Sequence, residues 1–412
     1  MHKEVCLKAG NKGVHHLLAM SQGGGCALFY FDWLCGDGKG DIVMQSVQRE
    51  GQIRIPSGCA ISGIFAKNGQ RFSGSTIVQS MTMMHDRSNG LGGGFAGYGI
   101  YPQYKEQYAL HIFYEDAWAK KQGEAFIDEH FDVVNLSKIP VRQVPGIVDE
   151  PLIWRYFVNP LPTKLYSSQL EEKEYVVRSV IQINSSIEGA YVFSSGKNMG
   201  AFKAVGYPED VGRFYRLEEY EGYCWLAHGR YPTNTPGWWG GAHPFTLLDY
   251  SLVHNGEISS YDANRRFIEM FGYQCNLQTD SEVITYMIDF LLRKQKLTLE
   301  EMAHVIAAPF WTTIASKAPE ERQQLTYLRN AFASLLITGP FSIIVGFEGG
   351  LMALNDRLKL RSMVVGEKDD RIYIASEECA IRAVAPQLDK LWSPRGGEAV
   401  IATLEGGLRR CL

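Results

Sequence analysis

The segment Leu226-Ala-His-Gly-Arg-Tyr-Pro-Thr-Asn-Thr235 decides how the rest of this chain is interpreted. It is short, dense in polar groups and preceded by an apolar run. Residues 225–228 fit a buried strand, so Arg230 follows the end of a strand. Its planar guanidinium matches the geometry of a carboxylate. The segment therefore predicts a position that binds a carboxylate.

A second polar cluster follows in Ala242-His-Pro-Phe245 and Leu252-Val-His-Asn-Gly-Glu257. Asn255 offers a side-chain amide and Gly256 a backbone N–H, both at the end of a short apolar strand. Two such donors can hold a developing oxyanion. With Arg230 they predict a binding site for a small zwitterion that has a carbonyl group to polarise.

Composition limits the classes of function. The chain has 412 residues, 45% hydrophobic and 21% charged, so we expect a buried core. The net charge of −4 gives no electrostatic footprint for nucleic acid. No run of 18 apolar residues and no signal-peptide layout occurs, which predicts a cytoplasmic protein. The eight cysteines include no CxxC pair, which argues against a disulfide framework and against a zinc site.

The chain changes character at Cys59. Residues 1–58 are rich in glycine and end in Arg54-Ile-Pro-Ser-Gly58, typical of an appendage with limited structure of its own. Cys59-Ala-Ile-Ser-Gly-Ile-Phe65 then predicts a buried strand. Residues 102–220 read as a mixed α/β region, in which strands at 190–194 and 201–205 suggest a hairpin.

Later segments favour a layered fold. Thr279-Asp-Ser-Glu282 precedes an amphipathic helix, and Thr279 and Glu282 fit a capping box. Strands alternate with helices, but tight hairpins are frequent. The pattern favours an antiparallel α+β layer fold over a doubly wound parallel sheet.

These motifs together resemble the class II glutamine amidotransferases. In the family's order they are Cys59-Ala-Ile-Ser-Gly-Ile-Phe, His85-Asp-Arg87, His228-Gly-Arg-Tyr-Pro-Thr-Asn-Thr, His243-Pro, His254-Asn-Gly-Glu and Thr279-Asp-Ser-Glu. The resemblance covers residues 59–405 and implies an N-terminal-nucleophile (Ntn) hydrolase with a four-layer αββα sandwich. Leu354-Asn-Asp-Arg-Leu-Lys-Leu-Arg361 and Ala375-Ser-Glu377 are similar to the stand-alone glutaminase subunit of glutamate synthases.

The resemblance also implies a role for individual residues. Cys59 is the expected nucleophile, and Asn255 with the N–H of Gly256 the expected oxyanion hole. The residues expected to bind substrate or to support the site are Arg230 for the α-carboxylate, Asp280 for the α-ammonium, Thr233 and His243 as pocket lining, and Arg87 beneath the Cys59 strand. Two departures stand out: Ser88 replaces a glycine found in many relatives, and the distance from Cys59 to Arg230 implies an insertion within residues 102–220.

The chemistry conflicts with an internal Cys59. The attacking group is a thiolate, and a base must remove the thiol proton. A free α-amino group titrates at about 7.7–8.0 and suits this task, whereas an amide nitrogen does not. We therefore expect residues 1–58 to be a propeptide that is cut after Gly58, leaving residues 59–412 as the glutaminase domain.

The same resemblance implies a substrate, a partner and cofactors for the glutaminase. L-Glutamine is the expected substrate, and a synthase subunit is expected to receive the ammonia. FMN and an iron–sulfur cluster are expected in that partner, and no cofactor in this chain. Two alternatives stay open. One is a glutaminase subunit for another acceptor, such as a methylamine-linked relative of glutamate synthase. The other is a non-catalytic regulatory subunit in which Cys59 is never unmasked.

Overall fold

The computed structural model describes residues 58–231 and 237–411 and, within the first 57 residues, three strands. The chain divides into two compact units, Met1–Ile55 and Pro56–Leu412. In the first unit, β1 (Lys8–Ala9), β2 (His15–Met20) and β3 (Cys26–Phe29) form an antiparallel sheet in that order. Whether residues 1–58 are a propeptide stays a prediction.

The second unit contains the remaining strands and all the helices of the described residues. The strands are β4 (Ala60–Ala66), β5 (Phe72–Ser73), β6 (Gly93–Tyr98), β7 (Tyr108–Tyr114), β8 (Phe131–Lys138), β9 (Leu152–Pro160), β10 (Ala190–Ser194), β11 (Met199–Ala204), β12 (Glu221–Gly222), β13 (Cys224–Gly229), β14 (Phe245–Leu247), β15 (Tyr250–Gly256), β16 (Phe341–Phe347), β17 (Gly350–Asn355), β18 (Val364–Lys368), β19 (Arg371–Ala375), β20 (Lys390–Trp392), β21 (Ala399–Thr403) and β22 (Gly407–Cys411).

The α-helices are α1 (Ser75–Thr82), α2 (Ala117–His130), α3 (Pro162–Ser168), α4 (Glu172–Ser186), α5 (Pro208–Phe214), α6 (Tyr261–Glu269), α7 (Asp280–Asp289), α8 (Leu299–Ile306), α9 (Trp311–Ala315), α10 (Pro319–Ala331) and α11 (Glu378–Arg382). Short 3-10 turns occur at His85–Arg87, Pro102–Tyr104, Leu217–Glu219 and Ala333–Leu335, and a π-helical turn occurs at Phe290–Lys294. No helix of the described residues is both long and apolar enough to span a bilayer.

Two antiparallel sheets face each other at the centre of this unit. One has the strand order β11-β6-β13-β4-β19-β18-β20, and the other has the order β14-β15-β16-β17-β21-β22. Strand β4 is covered on both faces, which explains why its residues are mostly apolar. Ile61 and Phe65 point between the sheets, whereas Ala60 and Ile64 point to the outer face. A strand covered on both faces gains from apolar residues at every position.

Helices cover the outer face of each sheet. Helices α1, α5 and α11 lie over the seven-stranded sheet, where Ile77 and Val211 are buried. Helices α6, α7 and α8 lie over the six-stranded sheet, where Val283 and Met302 are buried. The layers are therefore helix, sheet, sheet, helix. The predicted αββα sandwich of the α+β class is confirmed.

Residues 108–194 form an additional sheet with its own helices. Strands β7, β8, β9 and β10 pair in the order β10-β7-β9-β8, all antiparallel, and helices α2 and α4 connect them in a βαββαβ topology. This unit lies inside residues 102–220, where an insertion is predicted. The expected hairpin of residues 190–194 and 201–205 is wrong, because β10 belongs to this extra sheet and β11 to the seven-stranded sheet.

The predicted capping box at the start of α7 is also wrong. Thr279 is the N-cap residue, but its side chain makes no capping hydrogen bond. The Thr279 hydroxyl donates to Asp280 Oδ1 at 3.5 Å, and Glu282 Oε2 accepts from the backbone N–H of Leu277 at 2.9 Å. The preceding loop, rather than the helix terminus, therefore uses the Glu282 carboxylate.

Candidate functional site

Cys59 lies directly before β4 and points at the end of the neighbouring strand β13. Its Sγ accepts a hydrogen bond from the backbone N–H of Tyr231 at 3.3 Å. Burial raises the pKa of the Cys59 thiol, while the Tyr231 N–H and the charges of Arg230 and Arg361 act in the opposite direction. The sulfur thus lies where a donor and two cations can stabilise a thiolate.

Arg87 supports the backbone of Cys59. Its Nη2 and Nε donate to the Cys59 carbonyl at 3.3 and 3.4 Å, and its Nη1 pairs with Glu377 at 2.9 Å. Next to Glu377, the Ser376 hydroxyl accepts from the N–H of Ile61 at 3.1 Å. The start of β4 is therefore held from two directions, by an ion pair and by a side-chain hydrogen bond.

Ser88, which departs from the family pattern, fits the site without disturbing it. Its hydroxyl donates to the Arg230 carbonyl at 3.2 Å. On the other side, the Arg230 N–H donates to Gly92 O at 2.8 Å. Gly92 has a φ of 155°, and a β-carbon there would lie 3.1 Å from Arg230 Cδ. The glycine-rich segment therefore fixes the backbone and stem of Arg230.

Asp280 is the first residue of α7. Its Oδ2 accepts from the N–H of Ile258 at 3.3 Å, and its Oδ1 accepts from the Ser281 hydroxyl at 3.2 Å. Burial raises the pKa of the Asp280 carboxyl, but the His254 ring and these hydrogen bonds outweigh burial, so the pKa is below its ordinary value. Asp280 is thus held as a carboxylate, which suits an ammonium partner.

Asn255 and Gly256 end strand β15. Asn255 is fully buried, yet neither Oδ1 nor Nδ2 has a hydrogen-bond partner among the described residues. Buried amides are nearly always paired, so an unpaired one calls for a ligand or a water. Gly256 has a φ of 155°, and a β-carbon there would lie 2.0 Å from Pro340 O, so only glycine fits.

Three buried histidines lie behind Asp280. His243 Nε2 and His254 Nδ1 lie 2.7 and 3.1 Å from the Ser281 hydroxyl, and the His228 ring stacks on His243 at 3.9 Å. Burial lowers the pKa of His228 to about 3 and that of His243 well below its ordinary value. The His228 and His243 rings are therefore neutral, and together with His254 they form a hydrogen-bonded support. His243 connects to Asp280 through Ser281.

Gly58 lies beside the unpaired amide. A β-carbon built on Gly58 would lie 2.9 Å from Asn255 Oδ1 and 2.9 Å from Arg361 Nη1. Gly58 has a φ of 85°, which favours glycine. Gly58, the residue before Cys59, therefore lies between Asn255 and Arg361.

The structure thus brings together Cys59, Arg87, Arg230, Asn255 and Asp280 from distant parts of the sequence. Thr233 lies outside the described residues. Within the described ranges, no cluster of histidine, cysteine, aspartate or glutamate has the arrangement of a metal site.

Sequence reasoning gave no role to two residues at this site. Glu377 pairs with Arg87, and Arg361 lies against Gly58. Both belong to segments that were noted only for their resemblance to relatives, Leu354–Arg361 and Ala375–Glu377. Both residues stand at the ends of those motifs, and that position was the sequence feature that could have indicated a place at the site.

Comparison with known proteins identifies relatives of this chain. Residues 99–392 match the family model described as "Glutamine amidotransferases class-II". An uncharacterized protein of Archaeoglobus fulgidus is 49% identical over 351 residues, covering 84% of this chain and 92% of its own length. The amidophosphoribosyltransferase of Methanocaldococcus jannaschii is 26% identical over 232 residues, covering 54% of this chain and 43% of the relative. Among solved structures, the glutamine phosphoribosylpyrophosphate amidotransferase of B. subtilis is 15% identical, with a TM-score of 0.45, over 85% of this chain and 48% of that one.

Proposed function

Because the chain belongs to the class II glutamine amidotransferases, we propose that Cys59 attacks the side-chain amide of glutamine and that the ammonia passes to a partner synthase. The single observation that carries this proposal is the buried amide of Asn255, which has no hydrogen-bond partner among the described residues and lies beside Gly58, the residue before Cys59. An unpaired buried donor costs about 1–3 kcal/mol in the free protein. A substrate oxyanion would pair with it and remove that cost.

The substrate is oriented by charge. Arg230 receives the α-carboxylate of glutamine and Asp280 its α-ammonium. The side-chain carbonyl then lies at Asn255 Nδ2 and the N–H of Gly256. Such fixed donors aimed at the developing charge typically contribute about 10²–10³ in rate each.

The chemical steps balance around a free Cys59 amine. The amine takes the thiol proton, and the sulfur attacks the side-chain carbonyl carbon to form a tetrahedral oxyanion. The carbon–nitrogen bond then breaks, the ammonium returns its proton to the leaving nitrogen, and ammonia departs. Water hydrolyses the thioester to glutamate and restores the thiol.

This mechanism requires removal of residues 1–58. In the uncut chain the Cys59 thiol attacks the Gly58 carbonyl carbon, the acyl group moves from nitrogen to sulfur, and the amine is freed. Water then cleaves the thioester, which leaves a carboxylate on Gly58. The position of Gly58 next to the Asn255 amide supports this step, because the amide could also stabilise the oxyanion that forms there.

The acceptor of ammonia is proposed to be a glutamate synthase-like subunit that carries FMN and an iron–sulfur cluster. Free ammonia protonates in water and is lost as a nucleophile, so a docked partner and a shielded passage are expected. One relative that carries a transfer reaction in its name, the amidophosphoribosyltransferase of M. jannaschii, is matched over only 43% of its length. A separate acceptor subunit is consistent with that difference.

The test has two parts. The full chain is expressed, its N-terminus is sequenced, and release of glutamate and ammonia from glutamine is assayed. We expect a mature chain that begins at Cys59 and hydrolyses glutamine, more rapidly when the synthase subunit is added. A chain that begins at Met1 and still hydrolyses glutamine would contradict the mechanism. An intact mass of 46.3 kDa without hydrolysis would favour the regulatory alternative.

A further inference from the structure

Arg361 has a defined position at the site but no role in the mechanism described above. It follows the turn after β17, which is held because Asp356 accepts from two backbone N–H groups, both at 2.9 Å. The Arg361 carbonyl accepts from Asn355 Nδ2 at 2.8 Å. With its backbone fixed in this way, Arg361 directs Nη1 to the space around Gly58.

The charge of Arg361 is not neutralised locally. Within the described ranges, no carboxylate lies within ion-pair distance of its guanidinium, and its buried Nε has no hydrogen-bond partner. Arg87, in contrast, is paired with Glu377. Arg357, in the same turn as Arg361, donates to Ala308 O at 3.3 Å and faces away from Cys59. Arg361 therefore retains a full positive charge directed at the site.

A row of unpaired polar groups leads from the oxyanion position to Arg361. Asn255 lies opposite Ser342, and Ser342 lies opposite Asn355, on adjacent antiparallel strands. Residues in such register share one face of the sheet. Asn255 Oδ1 and Nδ2, Ser342 Oγ and Asn355 Oδ1 are all buried without partners among the described residues. The row runs from Asn255, beside the Arg361 guanidinium at Gly58, to Asn355, which donates to the Arg361 carbonyl.

We propose that Arg361 is a positioning residue of the nucleophile, whose guanidinium favours the deprotonated form of the Cys59 sulfur, and of the Cys59 amine once it is freed, over the protonated form. The part that concerns the amine rests on the proposed function. The part that concerns the sulfur applies to the uncut chain as well.

The charged groups that face Cys59 allow this effect. Arg230 and Arg361 lower the pKa of the thiol, and Asp280 raises it. Arg87 binds the Cys59 carbonyl with its charge matched by Glu377. Two cations, Arg230 and Arg361, therefore act on the sulfur against one carboxylate, and Arg361 is the one that carries no ion pair within the described ranges.

The same charge has the required sign for the amine. An α-amino group titrates at about 7.7–8.0, and a nearby cation disfavours its ammonium form, so its pKa falls. More of the amine is then neutral at pH 7, and only the neutral amine can accept the thiol proton. Removal of the Arg361 charge is therefore expected to raise the pKa of the Cys59 thiol and the pKa of the Cys59 amine.

The experiment titrates the Cys59 thiol in the full chain. Alkylation by iodoacetamide is followed against pH by mass spectrometry of the Cys59 peptide, for the wild type, Arg361→Gln, Arg361→Lys and the matched control Arg357→Gln. We expect Arg361→Gln to raise the midpoint by about one pH unit. Arg361→Lys and Arg357→Gln are expected to stay near the wild type. If Arg361→Gln fails to fold, Arg361→Met keeps the aliphatic stem and replaces it in the comparison.

The glutaminase pH profile provides the second readout. For Arg361→Gln we expect the acidic limb of kcat/KM to move up by about one unit, with roughly tenfold loss at pH 7 and less at pH 9. Unchanged thiol midpoints in both Arg361→Gln and Arg361→Met would overturn the inference. If the wild type hydrolyses no glutamine, the proposed function fails, while the thiol titration still tests Arg361.

Discussion

The two central sheets contribute to the site in different ways. On the seven-stranded sheet the polar groups around Cys59 are paired: Arg87 with Glu377 and with the Cys59 carbonyl, and Ser376 with the N–H of Ile61. On the six-stranded sheet, Asn255, Ser342 and Asn355 keep buried polar atoms without partners among the described residues.

This difference separates support from binding. A paired polar group stabilises the fold and fixes geometry, and its removal leaves a partner unsatisfied. An unpaired buried group costs stability in the free protein and gains its partner only when a ligand arrives. In the proposed mechanism, the seven-stranded sheet therefore holds Cys59 in place, and the six-stranded sheet presents the polar groups that would bind glutamine.

The largest expected effect is at the nucleophile. Cys59→Ala removes the attacking sulfur, and we expect glutamine hydrolysis to fall by about 10⁴-fold or more. The matched control is Cys411→Ala, which removes a partly exposed thiol at the end of β22 and should leave the rate unchanged. Ammonia release is measured for both purified full-length proteins. Equal rates for Cys59→Ala and the wild type would refute the assignment of Cys59.

The next effect is at the unpaired amide. Asn255→Ala should lower kcat by about 10²–10³-fold with little loss of folding stability, because no partner of the amide among the described residues is left unsatisfied. Asn68→Ala serves as control, since Asn68 contacts Asp370 on the surface. Steady-state kinetics and thermal unfolding are compared. A large drop in the melting temperature with kcat preserved would assign Asn255 to the fold instead.

A smaller effect is expected at the paired support. Glu377→Gln weakens the ion pair with Arg87 and hence the hold on the Cys59 carbonyl, so kcat/KM should fall about tenfold, which corresponds to roughly 1.4 kcal/mol. The neighbouring Glu378→Gln breaks only a surface pair with Arg382 and should have little effect. Similar losses in both variants would argue against a specific path from Glu377 to Cys59.

The smallest expected effect is on the free energy of unfolding, and it is tested by comparing two serines. Ser376→Ala removes a hydroxyl that is paired with the N–H of Ile61, and should lower the free energy of unfolding by about 1 kcal/mol. Ser342→Ala removes an unpaired hydroxyl, and should leave that free energy unchanged or raise it slightly. Chemical denaturation measures both. The reverse order would contradict the contrast between the sheets.

The sequence was enough to predict the fold class and most of the residues that meet at the site. The order of the motifs from Cys59 to Asp280 carried the resemblance to the class II glutamine amidotransferases, and that resemblance implied the αββα sandwich. The side chains of these motifs meet only because the two sheets face each other. The order of residues within one strand does not reveal that arrangement.

Other features depend on tertiary contacts that no local pattern encodes. The capping box at Thr279 failed because the loop before α7 takes the Glu282 carboxylate. The hairpin at 190–205 failed because β10 finds its partner in β7, far back in the chain. Glu377 and Arg361 gained their roles only from their neighbours across the sheets.

The most direct test of the central claim is covalent labelling with a diazoketone analogue of glutamine, which reacts with the nucleophile that attacks the glutamine side chain. Intact mass and peptide mapping then locate the adduct. The account predicts one adduct, on the sulfur of a Cys59 that is the first residue of the labelled chain. A single adduct on another residue, or on a chain in which Gly58 and Cys59 are still joined, would contradict it.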